Sequence, residues 1–222
     1  MASPLSEEPA SAPFPPAPWR LNGDGVQAVF FVPLAQARKL VPASLRVRAV
    51  IPGHTLGVIS AGRYDDSSTL AYSELIVSPA VVTSGDRTGF WISHIYVDSP
   101  VSQAGGRRIW NLDKHIARFD WSGGPGELRV STEHHSLCHL RPLKTVRGWM
   151  PPVGVPAFSV HQGRSTFFRG ALRSRSRFGI IRCSIPQDSP LVGVVPDASL
   201  VGCRHERASM LAEAPIVDHA LA

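Results

Sequence analysis

At 222 residues the chain is long enough for one ordinary domain, and a hydrophobic content of 43% against 18% charged residues supplies a real core. No apolar run reaches the ~18 residues that a membrane-spanning helix needs. The net charge of +6 comes without any nucleic-acid-binding motif, so neither a membrane nor a nucleic acid is expected as a partner. The cations are unequally divided: Lys39, Lys114 and Lys144 stand against twenty arginines. Arginine stays protonated and cannot form an imine, so covalent amine chemistry has only those three positions open to it.

In chain order, residues 1–17 are rich in Pro, Ala and Ser and read as a disordered leader without the basic start and apolar stretch of a secretory signal. One domain is expected from 18 to 222. Runs of β-branched and aromatic residues between Pro and Gly predict strands at 25–32, 45–51, 56–60, 72–82 and 90–97. Further strands are expected at 117–121, 127–133, 165–174 and 177–184. Helical signals are fewer. Pro33–Leu40 reads as a short helix with proline in its first position, and Ser99 with Pro100 opens a second that Gly105 and Gly106 should cut short. A third is expected near Asp113. Many short strands with few helices predict a mainly β (α+β) fold, an antiparallel barrel that is closed or nearly closed.

Cys138, Cys183 and Cys203 are too widely spaced for a zinc motif and odd in number, which reads as buried free thiols in a reducing, cytoplasmic setting. His134, His135, Cys138 and His139 form a metal-like cluster, but no distant carboxylate completes it, so no metal is expected. The alternating Arg173, Arg175 and Arg177 read as one solvated strand face. Phosphate loops, dinucleotide fingerprints and nucleophile elbows are absent, and no cofactor is expected.

Several blocks in order carry a resemblance. Gly106-Arg107 is followed by Lys114 eight residues after the glycine, then by Ile116-Ala117 and Phe119. Pro18-Trp19 and Leu21-Asn22-Gly23, Lys39-Leu40-Val41-Pro42, Tyr72-Ser73-Glu74-Leu75 and His94-Ile95-Tyr96-Val97-Asp98 precede it, and Ser189-Pro190-Leu191-Val192-Gly193 follows more loosely. This pattern resembles the acetoacetate decarboxylase-like superfamily over roughly residues 18–121. The resemblance implies a conical β-barrel whose buried lysine condenses with a ketone, the archetype being the standard case of a lysine activated as an amine nucleophile. It makes Lys114 the Schiff-base nucleophile and Glu74 the cavity acid, with His115 as a further proton-transfer residue. Arg107, Tyr72, His94, Tyr96 and Trp110 are the expected substrate contacts.

The chain departs from the pattern in four places. His115 stands where the archetype has a second lysine, and Asp113 where a proline is usual. Gly23 and Asp24 lie where the archetype has a substrate-side arginine, and Ile59 near a second cavity glutamate. Asp113 would oppose an uncharged Lys114 unless it faces solvent or pairs with an arginine. Three functions are expected from this set: decarboxylation of a keto acid, aldol or dehydration chemistry on a polyketide-like ketone in secondary metabolism, or non-covalent cyclisation or binding of a hydrophobic ligand. A small keto compound is the expected partner in the first two, and a homo-oligomer is compatible with the fold.

Overall fold

The computed structural model describes residues 13–197 and 199–216. The first half runs β1 (Trp19–Pro33), α1 (Leu34–Leu40), β2 (Arg46–Val47), β3 (His54–Tyr64), β4 (Tyr72–Ser78), β5 (Ala80–Ser84), β6 (Arg87–Trp91), β7 (His94–Val97) and α2 (Pro100–Trp110). It continues with β8 (Lys114–Ile116), β9 (Arg118–Asp120), β10 (Leu128–Ser131), β11 (Ser136–Gly148), β12 (Val153–His161), β13 (Arg164–Ser184) and β14 (Val201–Ala212).

The strands join in one sheet along the path β2-β5-β6-β12-β13-β14-β1-β3-β4-β7-β8, with β11, β10 and β9 branching from β13. Most pairs are antiparallel, but β6 with β12 and β7 with β8 are parallel. The pairing ends at β2 and at β8. The sheet is therefore mixed and not closed: of the closed or nearly closed antiparallel barrel expected, full closure is not found and two strand pairs are parallel.

Residues 1–12 of the expected leader lie outside the described residues. Within the next five, the Pro15 carbonyl accepts the Trp19 indole N–H at 2.9 Å, and Ala17 packs against the cluster that holds Trp19. Pro79 interrupts the expected 72–82 strand and separates β4 from β5, because proline cannot donate to the ladder. Between Ser165 and Ser184 the chain is one long strand rather than two. It pairs with β12 through its first half and with β11 through its second.

Strand β4 is buried on both faces and divides two apolar clusters. Leu75 and Val77 point into the larger, with Ile59, Leu128, Leu140 and Ile181. Tyr72 points into the smaller, with Trp19, Ile95, Val97, Trp110 and Leu112. All three cysteines are free and buried, and burial pushes their thiols up, that of Cys183 to about 12.

Helix α2 forms the lid of the smaller cluster. Ser99 caps its start by accepting from the Ser102 N–H at 3.2 Å, and Pro100 takes the first position, where no backbone donor is needed. The helix does not stop at Gly105 and Gly106 as expected. It continues to Trp110 and ends on Asn111, which takes up the left-handed conformation (φ 54°, ψ 34°) in glycine's usual place. The two glycines are kept inside the helix by what they touch. A Cβ on Gly105 would lie 2.7 Å from the Trp19 ring, and one on Gly106 would lie 2.3 Å from Lys114 Cε.

A buried lysine, glutamate and serine between sheet and helix

Lys114 opens β8 and not the helix expected near Asp113. In register beside Ile95 of β7, its side chain joins the Ile95 and Val97 face of the sheet and runs beneath α2. Only 2% of the residue is exposed. Its Nζ lies 2.7 Å from Glu74 Oε2 and 3.1 Å from Ser102 Oγ. Glu74, paired with Val97 across β4 and β7, presents its carboxylate to the same face and is itself buried. Tyr72, two residues earlier on that face, donates its hydroxyl to Glu74 Oε2 at 3.3 Å and also touches the Ser102 hydroxyl. The ring of polar atoms is thus Lys114, Glu74, Tyr72 and Ser102.

Aromatic rings enclose this set. The Lys114 ammonium lies 5.2 Å from the Tyr72 ring centre and 5.8 Å from that of Trp19, within the range where a cation is attracted to a ring face. Trp19 packs edge-on against Trp110 at 4.9 Å, and Tyr64 against Tyr72 at 5.1 Å. Burial first, and the charge of Glu74 second, push the Tyr64 and Tyr72 hydroxyls well above their usual range. Both therefore stay protonated and remain donors near the carboxylate.

Of the residues expected at the site, Lys114, Glu74 and Tyr72 come together in direct contact. Trp110 stands behind Trp19, its indole N–H donated to the Glu213 carbonyl at 2.7 Å. The other four lie elsewhere, three of them for one geometric reason. Side chains alternate across a strand, so Lys114 with Ile95 face α2 while His115 with Tyr96 face the opposite side. The Tyr96 and His115 rings accordingly meet there at 5.9 Å, and Tyr96 belongs to the larger cluster. His94 shares that side, paired with Val77 and bonded to Ser93 at 2.9 Å; burial, then the charge of His115, lowers its pKa. Arg107 lies on the outer surface of α2.

Asp113 faces outward and is about half exposed. Its carboxylate lies 3.5 Å from the Arg107 guanidinium and 3.3 Å from His115 Nε2, away from the Lys114 amine. The carboxylate next to the lysine in sequence is thus spent on surface partners. Ser102 and Trp19 were not singled out as site residues from sequence. Had α2 been read through its glycines, Ser102 and Gly106, four apart on one helical face, would have pointed to something packed beneath them.

The metal-like cluster disperses. Cys138 is in the larger core, His139 pairs with Glu127 at 2.7 Å, and His135 approaches Asp188 at 3.5 Å. Arg173 and Arg175 are exposed but separated by a bulge, and Arg177 turns to Thr145.

Across β4, β3, β1, β14 and β13 a single row of paired residues runs Glu74, Gly62, Gly25, His205, Ser176. His205 is buried there, its Nδ1 2.8 Å from Ser174 Oγ and its Nε2 3.1 Å from Gln27 Oε1. Burial lowers its pKa from 6.5 to about 4. The unfolded chain binds this proton more readily, so the contribution of neutral His205 is complete above pH ~6.5 and is lost as the pH falls through 6.5 towards 4. The shift corresponds to about 3 kcal/mol. Urea unfolding at pH 7.5 and 4.5 should show a steeper acid loss in wild type than in His205→Gln. Equal losses would contradict this assignment.

A mainly β fold holding a buried lysine against a glutamate, under a helix notched by glycine, defines the class. The chain belongs to the acetoacetate decarboxylase (ADC) family, whose sequence profile matches residues 2–141. Among characterised proteins it is similar to Protein NEOXANTHIN-DEFICIENT 1 of Oryza sativa subsp. japonica, 32% identical over 102 residues (46% of this chain, 33% of that one). The Arabidopsis thaliana protein of the same name is 28% identical over 115 residues (52% and 40%). The chain therefore spans well under half the length of these relatives.

In three dimensions it resembles acetoacetate decarboxylase from Legionella pneumophila, with a TM-score of 0.65 at 15% identity over all of both chains. The enduracididine biosynthesis enzyme MppR in complex with pyruvate also gives 0.65, at 14% identity over 96% of this chain and 98% of that one. At such identities the likeness establishes the fold.

Proposed function

We propose that the protein is a lysine-dependent carbon–carbon lyase or aldol-type enzyme that forms a Schiff base with a keto acid or ketone through Lys114. The observation that carries this reading is the contact of a fully buried lysine amine with Glu74 and Ser102 in an aromatic enclosure. A lysine amine must be unprotonated to attack a carbonyl carbon. Glu74 at 2.7 Å is placed to take the ammonium proton. Amine addition, with loss of water, gives a protonated imine. Its nitrogen then accepts the electron pair released when carbon dioxide, or an α-proton, leaves the adjacent carbon. The enamine so formed takes a proton, or attacks a second carbonyl, and hydrolysis returns the lysine. Tyr72, kept protonated and bonded to Glu74 at 3.3 Å, supplies a proton donor beside the amine.

The MppR complex named above contains pyruvate, and α-keto acids therefore belong beside β-keto acids in the substrate search. A second reading, a non-covalent cyclase or hydrophobic-ligand-binding protein, is favoured by one observation: Lys114 already has an anionic partner.

Isotope exchange separates the two. In deuterium oxide an imine-forming enzyme should introduce deuterium at the methyl carbon next to the ketone of pyruvate or a methyl ketone, followed by proton NMR. Exchange should be reduced at least ~10²-fold in Lys114→Arg, which keeps a cation beside Glu74 but has no imine-forming nitrogen. Exchange absent from the wild type with both pyruvate and the methyl ketone, or equal in the variant, would leave the non-covalent reading.

A further inference from the structure

The outer side of α2 forms one wall of an open groove of about 1430 Å³. Arg107 and Arg108 project from the helix, Arg164 from the start of β13, and Arg87 from β6. No Asp or Glu is found among the described residues that line it. Asp113 touches the groove only through Arg107 and, at 3.9 Å, His161. Among the described residues Arg107, Arg108 and Arg164 face one peripheral carboxylate, Asp113, which leaves this side of the groove with a positive field.

Its floor is apolar. Phe158 and Phe167 are buried with their rings 4.8 Å apart, and Ile216 bridges to Phe167 through the backbone. The Arg87 guanidinium lies over the Phe167 ring at 5.1 Å.

The walls are fixed to one another. Asn111, capping α2, donates its amide to the His161 carbonyl at 3.4 Å and the Arg164 carbonyl at 2.8 Å. Between those two residues Gln162 (φ 51°) and Gly163 (φ 74°) make a tight hairpin turn. Arg164 is therefore presented by a turn anchored to the helix that carries Arg107 and Arg108.

We propose that this groove binds an amphiphilic anion, a carboxylate or phosphate head on a hydrocarbon tail. The head lies between Arg108 and Arg164 and the tail along Ile109, Ile216 and the edge of Phe167. Arginine provides paired donors that match either head group, and the volume exceeds that of ordinary small-ligand pockets, leaving space for a long tail. The site lies behind α2, whose other face holds Ser102 and Gly106 against Lys114, so it is separate from the amine and does not rest on imine chemistry.

Isothermal titration of the full chain with laurate, dodecyl phosphate, 1-dodecanol and inorganic phosphate tests it. Laurate or dodecyl phosphate should bind at least tenfold more tightly than dodecanol or phosphate alone, and the tighter of the two identifies the head group. Arg108→Glu and Arg164→Glu, both at exposed positions, should each weaken that ligand at least tenfold, while Arg173→Glu, outside the groove, should not. Dodecanol binding as tightly as the anions, amphiphile affinity unchanged by both reversals, or no binding by either amphiphile would each overturn the proposal.

Discussion

Replacing Lys114 with methionine should destabilise the fold by about 3–5 kcal/mol, the range for removing one partner of a buried ion pair. Methionine fills most of the volume of the lysine stem, so the loss comes from Glu74. Its carboxylate, 5% exposed and within 2.7 Å of the lysine amine, would keep, among the described residues, the Tyr72 hydroxyl at 3.3 Å. Desolvating an ion is costly and the Coulomb attraction of its partner offsets that cost. The double variant Lys114→Met/Glu74→Leu, which removes both charges, should recover most of the stability. Urea unfolding of the two variants and wild type measures this directly. A single variant as stable as the wild type would show that Glu74 is solvated or neutral, and the pair would lose its place in the account.

The second large effect is expected from adding one methyl group. In Gly106→Ala the new Cβ would lie 2.3 Å from Lys114 Cε and 2.5 Å from its Cδ. Such a contact cannot persist, and the lysine, being the flexible partner, moves. Alanine favours the helix over glycine by about 1 kcal/mol, so folding should be near neutral or slightly impaired. The amine, however, would leave its position between Glu74 and Ser102, and a displacement near 1 Å is worth about 10²-fold in rate. Deuterium exchange into a ketone should therefore fall about 10²-fold while the thermal transition moves by only a few degrees. Full exchange activity in Gly106→Ala would mean that the observed Lys114 geometry is not the reactive one.

The contrast between the two variants explains what was legible beforehand. Lysine scarcity and the spacing from Gly106 singled out Lys114, and the Tyr-X-Glu block singled out Glu74 and Tyr72. Those are properties of residue type and separation along the chain. Which face a residue takes is decided by strand register, and here a one-residue offset matters: Lys114 faces α2 while His115, its neighbour, faces the other side. The helix expected near Asp113 concealed that alternation, so His115, Tyr96 and His94 were grouped with a site they do not share.

The strands not anticipated at β11, β12 and β14 have a common character. Strand β14 reads VGCRHERASMLA, with three charged residues, and its pairing with β1 and β13 overrides weak local propensity. Helix α2 shows the converse. Gly105 and Gly106 are helix breakers by propensity, yet the packing of Trp19 and Lys114 against them requires small residues where they stand. Whether the barrel closes fully or nearly was left open for a related reason, because the number and order of strand partners is a long-range property.

The central claim is that Lys114 forms an imine, and reductive trapping tests it most directly. Wild type and Lys114→Arg are incubated with pyruvate and a panel of β-keto acids, reduced with borohydride, digested and mapped by mass spectrometry. The account predicts a stable secondary-amine adduct on Lys114, absent from the variant and from Lys39 and Lys144. No adduct on any lysine, under conditions where the same ketones bind, would contradict it and leave a protein that acts on its ligand without covalent help.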